Sequence, residues 1–390
     1  MSKATETLGR RLRLGVIGGG PSSFIGKVHR SAATIHEEFD VVAGVFSSDP
    51  ERSLQAGHAM GIPRPYGDAN ALFAGEDRCK EPIDALAIMT PNNSHFDLSV
   101  RALEAGFHVF CEKPLTTSQE HAISLVQKVR QSGKRYCVAY AYTGFAMVRQ
   151  ARAMVAAGEL GEIKMVQSNY TQGHLATLTE SEQTGKNWHM DTSLAGPSLI
   201  LGDIGTHSYH LAAYVTGMEP SSISADVTAL VDGRNADDFC AVMMRYPNRA
   251  RGMLWVTQAA AGGVHGLSLT LFGTKGGIEW HQEQPNELVV RPLGKPAYTL
   301  TKGGAGLAKP AQRLSHIAIG HPEGYREAFA NLYLDFASNI TDDIAKRTPD
   351  PLSLWNPSIE EGAQGMAFIY AALNSRDNNG QWTPVPNLTD

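Results

Sequence analysis

Apolar positions in the first 140 residues come in short, nearly unbroken runs: "LRLGVIG", "DVVAGVFS", "IDALAIMT", "HVFCE" and "RYCVAYA". Strands buried on both faces read this way, as strands of a parallel sheet do, because neither face has to be polar. Between the runs the apolar residues recur at helical spacing. Phe96, Val100 and Leu103 predict a helix from Ser94 to Ala105, stopped by Gly106. A second helix is predicted in "TTSQEHAISLVQKVRQSG", capped by Thr117 or Ser118 and ended by Gly133. Strands alternating with helices imply an α/β domain built on a doubly wound parallel sheet.

After about residue 145 the pattern shifts. "GEIKMVQSNYTQ", "SISADVTALV", "DDFCAVMMRYP", "ARGMLWVTQAA", "LSLTLFGTKGGIEWHQ" and "NELVVRPL" predict strands joined by tight turns, hence a large open, mostly antiparallel sheet. Helices are expected near residues 146–157, 205–216, 323–341 and 358–373. The Gly-, Pro- and Ala-rich segment 302–322 reads as a long loop. Residues 1–143 are therefore expected to form the α/β domain, and residues 144–390 an α+β domain.

Composition narrows the function classes. The 390 residues are 42% hydrophobic and 19% charged, with a net charge of −5, which offers no basic surface for nucleic acid. No apolar run approaches the ~20 residues needed to span a bilayer, and no signal-peptide core follows "MSKATETLGRRLR". Cys79, Cys111, Cys137 and Cys240 form no C-x-x-C pair. A cytoplasmic protein with reduced thiols is expected.

Candidate chemistry begins at "LGVIGGGPSSFIGKVHRSAA", where a buried strand breaks into glycines and enters a helix. Gly18 permits the turn out of the strand, and Gly20 lets the backbone approach a pyrophosphate. The helix opening around Ser23, Phe24, Ile25 and Gly26 offers its free N–H groups to that anion. The third glycine of a G-x-G-x-x-G pattern, Gly26, arrives three residues late, after Pro21-Ser22-Ser23. At the end of the second strand, where an acid usually grips the ribose of NAD, stands Ser47, with Ser48, Asp49 and Arg52 close by. Small hydroxyls and an arginine suit the 2′-phosphate of NADP, whereas Asp49 opposes it. NAD is expected, with NADP as the alternative.

Three further stretches fall at element ends. In "IMTPNNSH", Pro91 stops a strand while Asn92, Asn93 and Ser94 open a helix at the carboxyl edge of the sheet, where ligands of doubly wound folds lie. In "CEKP", Lys113 precedes Pro114, is held in extended backbone, and aims its ammonium along the same edge. In "GDIGTHSYH", Asp203 and His207 are four apart and share a helical face, so the carboxylate can orient the imidazole. No Cys or Glu joins Asp203, His207 and His210 there, and no metal is expected.

Together "GVIGGG…IGKVH", "TPNNSH", "CEKPL" and "GDIGTH", in this order over nearly the whole chain, resemble the Gfo/Idh/MocA family, which includes glucose–fructose oxidoreductases and inositol dehydrogenases. The resemblance implies a Rossmann domain at the N-terminus. It also implies a catalytic set of Lys113, Asp203 and His207. Gly18, Gly20, Ile25, Thr90, Asn92, His95, Glu112 and Lys113 would line the NAD(P) groove, with "PSS" as an insertion in the phosphate loop. The expected activity is oxidation of a ring hydroxyl of a cyclic polyol or sugar, with either His207 or Lys113 as base. An NAD-dependent glycosidase and a non-catalytic NAD(P)-binding regulator are the alternatives. Tyr142, Gln172, His174, Trp188, His189, Asp191 and His321 are candidates for binding the polyol, sugar or glycoside. A homodimer or homotetramer is expected, as is common in the family. Met253, Trp255, Leu269 and Leu271 would be exposed on the second sheet, and loop 302–322 would bring His321 to a neighbouring subunit.

Overall fold

The computed structural model describes residues 2–177 and 188–389. The chain divides into two compact units: residues 1–116, 120–144 and 325–362 form the first, and residues 117–119, 145–324 and 363–390 the second.

In the first unit, six parallel strands form one sheet: β1 (Leu12–Gly18), β2 (Phe39–Val45), β3 (Arg64–Pro65), β4 (Ala85–Met89), β5 (His108–Cys111) and β6 (Tyr136–Val138). Their order is β3-β2-β1-β4-β5-β6. All residues of β4, β5 and β6 are buried, as their unbroken apolar runs require. The order reverses between β1 and β4, so the chain leaves these two neighbours in opposite directions. That opens a crevice at their carboxyl ends.

Gly18 sits at this point with φ 91°, and a Cβ there would stand 2.4 Å from the Met89 carbonyl oxygen. The helix Phe24–Ile35 then presses on the loop. A Cβ at Gly26 would come within 2.3 Å of the Gly19 oxygen, so only glycine permits the approach. Pro21 and Ser22 form an exposed turn closed by the Ser23 N–H on the Gly20 carbonyl at 3.0 Å. The insertion thus projects outward, and Gly26 keeps the packing role of a third glycine despite its late position.

The helix Tyr325–Ile344 belongs to the first unit, although the sequence pattern places it with the C-terminal domain. Its Phe329, Tyr333, Phe336 and Ile340 enter one core with Phe39 and Phe110. Tyr333 stacks on Phe110 with centroids 4.2 Å apart. Each such buried side chain contributes about 1.5–3 kcal/mol. The helices within residues 1–143 leave this part of the sheet to be covered from far along the chain.

The second unit is built on a nine-stranded sheet: β7 (Ile163–Thr171), β8 (Ser222–Thr228), β9 (Phe239–Arg245), β10 (Arg251–Thr257), β11 (Gly266–Gly273), β12 (Gly276–His281), β13 (Glu287–Pro292), β14 (Tyr298–Thr301) and β15 (Thr383–Pro384). The order is β14-β13-β12-β11-β7-β10-β9-β8-β15, and only β7 and β10 pair in parallel. Buried and less buried residues alternate along β8 to β11. The helix Thr206–Thr216 packs on β7, β10 and β11. On the other face Met165, Met243, Met253, Trp255 and Phe272 are exposed, whereas Leu269 and Leu271 are buried. The expectation that these two leucines face outward is corrected. They follow Leu267 at two-residue steps and share its side of the pleat. Segment 302–322 contains the short helix Lys309–Arg313. It is tied back by Lys302, whose Nζ donates to the Ile317 carbonyl at 2.8 Å and pairs with Glu323 at 2.9 Å.

Gly26→Ala is expected to lower the unfolding free energy by about 1–3 kcal/mol, the usual cost of overpacking, read as a lower urea midpoint. An unchanged midpoint would contradict the close approach of helix and loop.

Candidate active site

The carboxyl edge of the first sheet gathers the cofactor candidates. Ser23 accepts the Gly26 N–H at 3.1 Å and caps the helix, whose remaining free N–H groups face the loop end. Arg30, absent from the sequence-derived set, donates to the Gly19 carbonyl and holds the loop from behind. Phe24, the first residue of the helix, is exposed. Gly18 and Gly20 present bare backbone, and a Cβ on Gly20 would meet the Phe46 carbonyl oxygen at 2.5 Å. Bare backbone, a helix N-terminus and a sheet switch point together fit a dinucleotide pyrophosphate.

At the end of β2, Ser47 Oγ accepts the Asp49 N–H at 3.1 Å. Asp49 caps the helix Pro50–Ala59 by accepting the Arg52 N–H at 2.8 Å. Ser48 and Arg52 are exposed, and Arg52 makes no ion pair among the described residues. The acid that opposes a 2′-phosphate is therefore held in place by its own helix.

Beyond β4, Asn92–Ser94 form a 3-10 turn that leads into the helix His95–Glu104. Thr90 Oγ1 and Ser94 Oγ lie 2.6 Å apart, and Ser94 also donates to the Pro91 carbonyl at 2.8 Å. Asn92 is buried. His95 is fully buried, so it underlies the groove and does not line it. Its ring nitrogens lie 2.9 Å from the Pro114 carbonyl and 3.0 Å from that of Thr90, joining the "TPNNSH" and "CEKP" loops. Burial opposes charge on this ring, but the Cys111 sulfur and the two carbonyls outweigh it and raise its pKa to about 9.

Glu112 is also nearly buried. One carboxylate oxygen accepts the Lys113 N–H at 3.1 Å, and the other lies 2.8 Å from His29 Nε2. The Lys113–Pro114 peptide is cis. Tyr142 is 5% exposed, with its ring tilted against Tyr325 in the first unit, so little of it is available to a ligand there.

Asp203 and His207 stand in the second unit, where the expected straight helix is corrected. Asp203 lies in a π-turn, Leu201–Gly205, in which the Thr206 N–H donates to the Leu201 carbonyl. His207 is the second residue of the following α-helix, Thr206–Thr216, and is 6% exposed. Wide turns of this kind recur at functional sites because they re-aim side chains. Gln258, fully buried at the end of β10, donates from Nε2 to Asp203 Oδ2 at 2.6 Å and to Gln172 Oε1 at 3.3 Å. Gln172 Nε2 lies 3.0 Å from His265 Nδ1. Partial burial lowers the pKa of His174, while Asp203 pulls it back up.

Gln172, His174 and Asp203 thus belong to one polar cluster. Trp188 stacks on His189 with centroids 3.8 Å apart, Asp191 caps the helix Thr192–Ala195, and His321 is exposed. Trp188 and His321 make no hydrogen bond to the cluster among the described residues. Gln258 and His265 escape the sequence reading. The one available signal is that Thr257 and Gln258, both polar and both buried, end the strict alternation of β10.

The first unit offers a lysine at the end of β5 and the second an imidazole four residues after a firmly held carboxylate, residue types that can serve alcohol oxidation by hydride transfer. The comparisons agree with this chemistry. Residues 12–140 match the oxidoreductase family with an NAD-binding Rossmann fold, and residues 148–279 match the GFO/IDH/MocA C-terminal domain. An uncharacterized oxidoreductase of Bacillus subtilis, YfiI, is 33% identical over 98% of this chain and 99% of its own. A crystal structure of an inositol dehydrogenase homolog from Azotobacter vinelandii, complexed with NAD+, is 34% identical. It covers 96% of this chain and 97% of its own with a TM-score of 0.90. The homolog complexed with NADH and myo-inositol from the same organism is 34% identical over 96% of this chain and 98% of its own, with a TM-score of 0.87. With both domains matched, and with a glycine loop that fits the dinucleotide, the chain belongs to the Gfo/Idh/MocA family of NAD-binding oxidoreductases.

Proposed function

We propose that the protein is an NAD-dependent dehydrogenase that oxidises one ring hydroxyl of a cyclic polyol or sugar, with inositols as the first class to test. The observation that carries this reading is the Asp203 carboxylate, held at 2.6 Å by a buried amide four residues before His207. A lone pair of polar residues in a structural helix needs no such support.

Gly18, Gly20 and the N-terminus of the helix Phe24–Ile35 would hold the cofactor's pyrophosphate, and Ser47 would face its adenosine ribose. Bound NAD supplies the hydride acceptor for the carbon that bears the hydroxyl. The chain's residues handle the proton and the oxygen. His207 takes the hydroxyl proton, Lys113 donates a hydrogen bond to the oxygen as negative charge develops, and Asp203 orients the imidazole. Gln172 and His174 offer an amide and an imidazole to the neighbouring hydroxyls of a polyol. The A. vinelandii homolog with NADH and myo-inositol supports the choice of an inositol.

The purified protein is expected to reduce NAD with at least one member of a panel of inositols and pyranoses. Lys113→Ala should lower turnover by about 100-fold or more, within the range of acid–base contributions, while NAD binding persists. Because Asp49 caps its own helix beside the ribose end, NAD should bind at least tenfold more tightly than NADP, about 1.4 kcal/mol. No turnover on any panel member, or wild-type turnover in Lys113→Ala, would overturn the assignment.

We infer, too, that a second copy of the chain covers the exposed face carrying Met165, Met243, Met253, Trp255 and Phe272. Large apolar side chains exposed together on one side of a sheet favour association. Light scattering should show a dimer or tetramer at micromolar concentration. Met253→Asp combined with Trp255→Asp, at residues 62% and 41% exposed, should give a folded monomer. A monomeric wild type would refute the pairing.

A further inference from the structure

Glu112, His29 and Tyr333 come from three separate elements of the first unit: the end of β5, the helix after the glycine loop, and the helix Tyr325–Ile344. His29 and Tyr333 are each 1% exposed and Glu112 is 8% exposed. The Tyr333 hydroxyl lies 2.7 Å from His29 Nδ1, His29 Nε2 lies 2.8 Å from Glu112 Oε1, and Glu112 Oε2 accepts the Lys113 N–H at 3.1 Å. We propose that Tyr333 and His29 are positioning residues, forming with Glu112 a buried hydrogen-bonded chain that fixes the Lys113 backbone and ties it to the phosphate-binding helix.

Counting hydrogens sets the direction of the chain. Among the described residues the Tyr333 oxygen meets one polar partner, His29, and burial holds its pKa well above that of a free phenol, so it keeps its proton. That proton goes to Nδ1, which leaves Nε2 as the N–H that donates to Glu112. An imidazolium would turn Nδ1 into a donor and leave the buried tyrosine proton with nothing to bond. The neutral Nε2–H tautomer satisfies every donor in the chain. Each carboxylate oxygen of Glu112 then receives one N–H, which sets the plane of the carboxylate and with it the peptide that starts Lys113.

The packing leaves this chain little freedom. The His29 ring meets Phe110 edge-on at 5.5 Å and Phe329 at 4.9 Å, and Tyr333 stacks on Phe110 at 4.2 Å. Apolar surroundings strengthen each bond and make an unmade one costly. His29 stands one and a half turns inside the helix whose N-terminus meets the glycine loop. A rigid link therefore joins the seat proposed for the pyrophosphate to the lysine proposed to meet the substrate oxygen. The inference rests on the dehydrogenase reading for its kinetic part alone.

The test compares His29→Leu, His29→Gln and Tyr333→Phe with the wild type, all with NAD and the best polyol of the panel. Leucine removes both polar contacts, whereas glutamine retains an N–H for Glu112 and an oxygen for Tyr333. His29→Leu should lower kcat at least tenfold with the dissociation constant for NAD changed less than twofold, and His29→Gln should recover kcat to within about threefold. Tyr333→Phe keeps the stacking on Phe110 and guards against a folding failure in the leucine variant. In the absence of any substrate, 15N spectra of labelled histidine should show His29 neutral with its proton on Nε2 at pH 7. In Tyr333→Phe the Nδ1 resonance should shift as it loses its hydrogen-bond donor while Nε2, still facing Glu112, keeps its proton, and the Lys113 amide resonance should move in His29→Leu. An imidazolium or an Nδ1–H tautomer in the wild type, or an unmoved Lys113 amide, overturns the chain. If no polyol is oxidised the dehydrogenase reading fails, while the spectra still decide this one.

Discussion

A carboxylate kept almost out of water needs a donor on each oxygen, and Glu112 draws its donors from opposite directions. One is the backbone of the next residue; the other is an imidazole on the helix that follows the glycine loop. Satisfying this one group brings the end of β5, the loop helix and the helix Tyr325–Ile344 together. Neither the position of Lys113 nor the seat of the loop helix can change without leaving that charge unsatisfied. His95 performs a similar service one loop away, spanning the carbonyls of Thr90 and Pro114. The edge that faces the cofactor is thus braced from beneath by buried polar groups that never reach it.

The second unit solves the same problem with different parts. Gln258 ends a strand, is fully buried, and directs its amide at Asp203. An amide donor orients the carboxylate without adding a charge of its own. The π-turn around Asp203 allows the carboxylate to meet that strand end while His207 begins a regular helix. Here too the groups proposed to react stand on rigid elements, and the group that holds Asp203 is more deeply buried than it is.

Much of this was legible in the sequence. Strands buried on both faces leave unbroken apolar runs, and the glycine loop, "TPNNSH", "CEKP" and "GDIGTH" each fall at an element end. What the pattern hides is partnership across the chain. The apolar face of Tyr325–Ile344 predicts a helix but not which sheet it covers, so its place in the first unit emerges only from the stacking of Tyr333 on Phe110. Alternation along β10 and β11 separates two faces without saying which is shielded, which is why Leu269 and Leu271 were expected outside with Met253 and Trp255. A π-turn shifts one hydrogen bond and leaves no mark in residue type. His29, Tyr333 and Gln258 look like ordinary polar residues until their partners, far away in sequence, are known.

The central claim is that the chain moves a hydride from a ring carbon to NAD while its side chains move only the proton. Turnover of ring-deuterated myo-inositol, or of whichever panel substrate proves best, tests this most directly. The account predicts one deuterium in the reduced nicotinamide for each ketone formed, none from solvent, and slower turnover than with the protiated substrate. Reduced nicotinamide carrying no substrate deuterium, or ring deuterium exchanged for solvent hydrogen with no net reduced cofactor, would contradict it.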